Sequence, residues 1–218
     1  MTLRIAILSA ALFCSLATLS AQAASYRADP RSSTLTFSSS YQGEAFAGRF
    51  GRFNADIAFD PANLATSRFD VTINVASADT ANSERDDTLR GADFFNATKM
   101  PTAHYLATKF RSIGANHYAA DGMLTLRGVT KPVTLSFTWT RGAIVSLVGD
   151  ASVNRLDFGV GGGEWADTAT IGNAVKVHTS LLLNPAPGAA AAVAAPVKAS
   201  AAPNKTAKLV KPPIRKYP

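Results

Sequence analysis

Cysteine and histidine are scarce in this chain of 218 residues: there is one cysteine, Cys14, and three histidines, His104, His117 and His178. Cys14 lies inside an apolar run from Ile5 to Leu19 that follows Arg4 and precedes a small-x-small site, Ala21-Gln22-Ala23. This arrangement predicts a secretory signal peptide over residues 1–23. The run is shorter than the roughly 20 residues that a bilayer span requires. The exported chain then keeps no thiol, which excludes a disulfide framework and a cysteine-built metal site. Imidazole is the commonest transition-metal ligand, yet no histidine here has a second at ligand spacing. His104 and His178 are read as outward-facing strand positions.

A surplus of one charge is missing from the body of the chain. The formal net charge is +7, but Ala24 to Asn184 holds 15 Lys and Arg against 15 Asp and Glu. Beyond Asn184 there are six Lys and Arg and no acid. A nucleic-acid binder carries its positive patch on the folded surface, so the neutral body argues against that class. Residues 185–218 are rich in Ala, Pro and Lys, lack periodicity and are broken by Pro185, Pro187, Pro196 and Pro203, which predicts a disordered basic tail. The tail reads as a solvated linker. Its cations also offer contact with an anionic envelope surface, at up to ~1 kcal/mol each.

Catalytic signatures are absent as well. Gly159 to Glu164, GVGGGE, resembles a phosphate loop only superficially, because no Lys-Ser/Thr follows and no helix pattern opens there. Glu164 and Asp167 flank Trp165, but a glycine-rich loop does not fix the separation that paired acid–base carboxylates need. Trp165 is read as a rim or lid residue, with ordinary packing as the alternative. The sequons at Asn96 and Asn204 are assigned no role. With no nucleophile motif, metal constellation or cofactor fingerprint, no enzyme and no cofactor are expected.

What the chain does have is alternation with period two. Leu35 and Phe37 share a face, as do Phe53, Ala55, Ile57 and Phe59, and then Phe69, Val71, Ile73 and Val75. Leu106, Thr108 and Phe110 follow, then Leu124 and Leu126, Val133 to Trp139, Ala151 and Val153, and Val175 to Leu183. About eight strands result, each with one buried face, which fits an antiparallel barrel or a sandwich. Phe46, Gly48 and Phe50 are out of phase with Phe53 to Phe59, so a bulge is expected near Gly51. Leu124 to Trp139 reads as a β-hairpin whose connection is bracketed by Gly128 and Pro132. One short helix is expected, opening at Asn82 or Ser83 with acids in its first turn and stopping at Gly91. Its charged stretch, Ser83 to Asp87, is read as a capped helix with internal ion pairs. Leu89, Phe94 and Phe95 beside it need somewhere to bury and are expected over the mouth of the barrel.

Several motifs in one order resemble the YceI-like family. They are YRADPRSSTLTF (Tyr26 to Phe37), GRFGRFNADIAFDP (Gly48 to Pro61), Thr80 with ERDDTLRGADFF (Glu84 to Phe95), and Met100-Pro101. GMLTLRGVTKPV (Gly122 to Val133), DFG (Asp157 to Gly159) and IGNAVKV (Ile171 to Val177) follow. The similarity covers Ser25 to Leu183. Tyr41 stands where many relatives have histidine, and Asn173 and Ala174 where an acidic pair is usual.

The resemblance implies an all-β fold, an extended antiparallel eight-stranded barrel of lipocalin-like shape, as one domain over residues 24–184. It further implies a periplasmic carrier that holds a polyisoprenoid, quinone or fatty-chain lipid lengthwise inside. An accessory role beside a b-type cytochrome of the b561 kind, handling quinone or its isoprenoid tail, is the other implied reading. An eight-stranded barrel is just wide enough to be filled by its side chains or to hold one small ligand. Gly48, Ala55, Ala107, Ala151 and Gly159 among the large residues fit a partly unfilled lumen, and equally a tapered packed core. From alternation, the candidate contacts are Phe37, Phe50, Phe69, Ile73, Leu89, Phe94, Phe95, Leu126, Leu135, Phe137, Phe158 and Val177.

Overall fold

The computed structural model describes residues 23–186. The expected signal peptide, apart from Ala23, and the expected tail beyond Ala186 lie outside the described residues. Eleven strands form one antiparallel sheet: β1 (Ser25–Ala28), β2 (Thr34–Tyr41), β3 (Glu44–Phe50), β4 (Phe53–Ala58), β5 (Arg68–Asn74), β6 (Ala78–Asp79), β7 (Thr102–Gly114), β8 (His117–Leu126), β9 (Val129–Thr140), β10 (Val145–Asn154) and β11 (Ala174–Pro185). Three pairs of these are single staves with a break: β1 with β2, β3 with β4, and β5 with β6. Their partners show it, since β1 pairs with β4 where β2 pairs with β3, and β4 pairs with β5 where β3 pairs with β6. Eight staves therefore run up and down in sequence order. The wall closes because β11 pairs with β2 from Lys176 to Ser180 and with β1 from Leu183 to Pro185. The eight-stranded barrel is as the resemblance implied, and it decides between the barrel and the sandwich that alternation left open.

Gly51 and Arg52 make the break between β3 and β4, so Phe50 and Phe53 both turn inward despite their odd spacing. The hairpin between β8 and β9 is also present, but tighter than expected. Its turn is Arg127-Gly128 alone, with φ of 50° and 75°. Positive φ at both central residues is the geometry whose twist matches the flanking strands, and Gly128 adopts it without a Cβ penalty.

Pro132 does not bracket this turn; it lies inside β9, opposite Met123. The reason is an incomplete ladder. β9 pairs with β8 from Val129 to Thr138, but with β10 only from Ser136 to Thr140. The Trp139 N–H bonds Asn116 O on the β8 side at 3.0 Å, so alternation points the even-numbered positions towards β10. At Pro132 no β10 partner exists, and the missing N–H costs nothing.

The phase expected for Leu106, Thr108 and Phe110 is wrong for its first two members. Ala103, Tyr105 and Ala107 are buried inward positions, whereas Leu106 is only partly buried and Thr108 is exposed. A bulge between Ala107 and Lys109 then shifts the phase and brings Phe110 back inside. The helix, α1 (Ser83–Arg90), follows β6 and ends at Gly91 as expected, with the Asn82 side chain accepting from the Arg85 N–H at 2.9 Å.

Candidate functional site

The lumen is divided across its length. At one end, the floor, Tyr26, Phe59, Phe69, Phe110, Tyr118, Phe137 and Trp139 pack as an aromatic cluster. Phe59 sits at its centre, 4.9 Å from the Tyr118 ring, 5.2 Å from Phe137 and 4.9 Å from Trp139. At the other end, the mouth, Leu89, Phe94 and Phe95 from α1 and its exit pack with Phe37, Phe158 and Ile171. Between them lies a cavity of about 210 Å³, somewhat below the ~300–1,000 Å³ usual for drug-sized ligands.

Eleven of the twelve candidate residues line this cavity: Phe37, Phe50, Phe69, Ile73, Leu89, Phe94, Phe95, Leu126, Leu135, Phe158 and Val177. Phe137 does not. It points inward but lies too deep, stacked among Phe59, Phe69 and Tyr118 in the floor. Of the small residues, Ala55 and Ala151 line the cavity, whereas Ala107 is buried in the floor cluster. Gly48 leaves no space, because a Cβ there would lie 2.5 Å from the Phe37 ring. Gly159 sits at φ 66° after the short 3-10 turn Arg155–Phe158, at the mouth.

Four lining residues have polar side chains, and each bonds within the protein. Ser39 donates to Gly172 O at 3.3 Å and Thr179 to Thr34 O at 3.3 Å. Tyr105 crosses Gly122, where a Cβ would lie 2.5 Å from its ring, and donates to Ala120 O at 2.8 Å. Burial pushes its phenol well above the ordinary value.

Arg155, the fourth, is 4% exposed. Its guanidinium donates to Gly172 O at 3.2 Å, Val160 O at 3.0 Å, Trp165 O at 2.8 Å, Ile171 O at 3.0 Å, and Gly161 O. All five N–H groups are used, and the segment 155–173 is gathered around one cation at the mouth. Burial lowers its pKa and Asp167 opposes that shift, but an arginine remains protonated. Arg155 is a functional position that alternation and motifs left unmarked. A signal existed, because Leu147, Ala151, Val153 and Arg155 share one parity on the stave that β10 begins.

The charged stretch of α1 does more than pair within the helix. Arg90 bonds Asp87 at 2.9 Å, as expected. It also donates to Ala76 O at 3.0 Å and Ala78 O at 3.1 Å. Asp86 is buried, accepting from the Thr80 N–H at 2.8 Å and hydroxyl at 2.7 Å. Arg85 lies over the Phe46 ring, 4.9 Å from its centroid. Arg127 ties the helix exit to the other mouth segment through Asp93 O, at 2.8 Å, and Gly159 O. Trp165 sits on the rim, 36% exposed, with its ring 5.6 Å from Phe94.

His104 and His178 face outward, 2.7 Å from Asp70 and 2.8 Å from Asp150 respectively. Among the described residues no three His, Cys, Asp or Glu come together as metal ligands.

Comparison with known proteins agrees with this geometry. A UPF0312 protein of Vibrio parahaemolyticus is 38% identical over 120 residues, 54% of this chain and 64% of that protein, so the match spans less than two thirds of the relative. The crystal structure of Burkholderia cenocepacia BcnA superposes with a TM-score of 0.69 at 31% identity, covering 72% of this chain and 99% of that one. A polyisoprenoid-binding domain from Saccharophagus degradans, implicated in plant cell wall breakdown, shares the fold at a TM-score of 0.59 and 17% identity, over 76% of this chain and 100% of that one. The profile of the YceI-like domain matches residues 26–183, from the first stave to the last. By this match and by its closed eight-stave barrel, the chain belongs to the YceI-like family.

Proposed function

We propose that this protein is a periplasmic carrier or sequestering protein that binds a polyisoprenoid or similar long-chain lipid in the mouth-side cavity and does no chemistry on it. The observation that carries the reading is the lining: every polar side chain in it spends its donors on the protein's own carbonyls. Such a wall offers a ligand almost only hydrocarbon to touch. Burying ligand hydrocarbon is worth roughly 25 cal/mol per Å² gross. The loss of ligand freedom reduces that gain, and a preformed cavity keeps the reduction smaller. The fold shared with the Saccharophagus degradans domain supports the same ligand class.

The test is native mass spectrometry of the protein taken from its own cell envelope, followed by organic extraction and lipid analysis. A copurifying long-chain lipid, displaced by added isoprenoid, is the expected result. Finding no copurifying or titratable apolar ligand overturns the reading.

A further inference from the structure

We infer that the aromatic floor is a ruler, admitting only the terminal stretch of an apolar chain and fixing how many of its carbons leave water. The inference rests on the lipid-binding reading and adds a specificity to it. Ile57, Phe69, Tyr105, Leu147 and Leu181 belong to the floor cluster and also line the cavity, so they form the partition between filled and unfilled lumen. Below them the lumen is closed by ring-on-ring contacts, Phe69 lying 4.8 Å from Phe110 and 5.1 Å from Phe137. The partition is held from the side as well: the Tyr105 hydroxyl is tethered to Ala120 O at 2.8 Å, and its ring fills the space over Gly122. Leu147, 0% exposed and opposite both Trp139 and Leu181, leaves no lateral way past. A chain entering from the mouth therefore stops at this level, and carbons beyond the cavity's capacity remain outside, gaining nothing from burial.

The ruler predicts a break in affinity along a homologous series. Saturated fatty acids from octanoate to octadecanoate serve as probes, titrated into delipidated protein by calorimetry. Affinity should rise about fourfold per added methylene, the equivalent of ~0.8 kcal/mol, and then become flat once the floor is reached. Leu147→Ala, which opens the partition, should move the break to chains longer by about two to three carbons, the size of the side chain removed. Ala151→Leu narrows the cavity without removing any buried contact and should move the break to shorter chains. It tests the ruler in the opposite direction should Leu147→Ala not fold. An affinity that rises through the whole series in the unmutated protein, or a break unmoved in the folded variants, overturns the ruler alone. Absence of binding at every chain length overturns the lipid reading and the ruler with it.

Discussion

Phe137 and Arg155 are both buried, the first within the aromatic floor and the second among backbone carbonyls at the mouth, and these surroundings set what each contributes. Alternation identifies Phe137 as inward, and it is, at 3% exposure. Its depth is another matter, because it packs in the floor and not against the cavity. Phe137→Ala should therefore lower stability by ~3–5 kcal/mol, the cost of emptying a packed aromatic site, and, lying below the partition, should move the break in chain-length preference less than Leu147→Ala does. Urea unfolding and the fatty-acid series measure the two effects separately. Arg155 carries the opposite lesson, a charge that belongs inside because five carbonyls surround it. Arg155→Ala leaves those acceptors without their donor and should destabilise the fold by ~1–3 kcal/mol for each carbonyl that water does not reach. Arg155→Lys should recover only part, since an ammonium has three donors where the guanidinium has five. Thermal unfolding of the two variants checks the order.

At the level of elements, helix and hairpin were legible because their signals are local. Asn82 at the cap, acids in the first turn and Gly91 at the end suffice for α1, and Asn82→Ala should cost ~1 kcal/mol, read from urea midpoints. The phase of β7 was not legible, because a bulge at Thr108 depends on what its partner strand offers. Leu106, a large apolar residue, lies on the outer face while Ala103 and Ala107 lie inside. Pro132 misleads for a related reason, since its tolerance depends on β10 having departed from β9 at that height. Pro132→Val should accordingly change stability by less than ~1 kcal/mol. Thr138→Pro should cost at least ~1–3 kcal/mol, because Thr138 is paired with Val148 on the β10 side and loses a ladder bond. Comparing the two variants by chemical denaturation tests the incomplete ladder directly.

For the whole molecule, the distribution of carboxylates sets the response to acid. Asp29, Asp70, Asp79, Asp121 and Asp167 are all held below the ordinary carboxylate range. The leading causes are the Arg31 N–H for Asp29, His104 for Asp70 and the Ala81 N–H for Asp79. For Asp121 and Asp167 they are the hydroxyls of Thr134 and Thr170. A depressed folded-state pKa means the unfolded chain binds more protons, so this contribution is fully present above the unfolded value of about 3.9. It is lost as pH falls through the folded values. Urea unfolding between neutrality and strong acid should show these groups contributing a level plateau down to roughly pH 5, then a decline that steepens below about pH 4. The groups are partly or fully exposed, and salt should blunt the ion-paired part of the decline.

The sequence by itself determined the number of staves, the short helix α1, the inward face of most staves and the family, because all of these follow from period-two alternation, caps and short ordered motifs. Those are properties of neighbouring residues and need no knowledge of distant ones. Tertiary structure alone decided how deep along the barrel each inward residue sits. Depth follows from register and stagger between strands far apart in sequence, such as β11 against β1 and β2. That is why Phe37 and Phe137, alike in the alternating pattern, end at the mouth and in the floor. It is also why the lumen's division into a cavity and an aromatic plug had no counterpart in any local pattern.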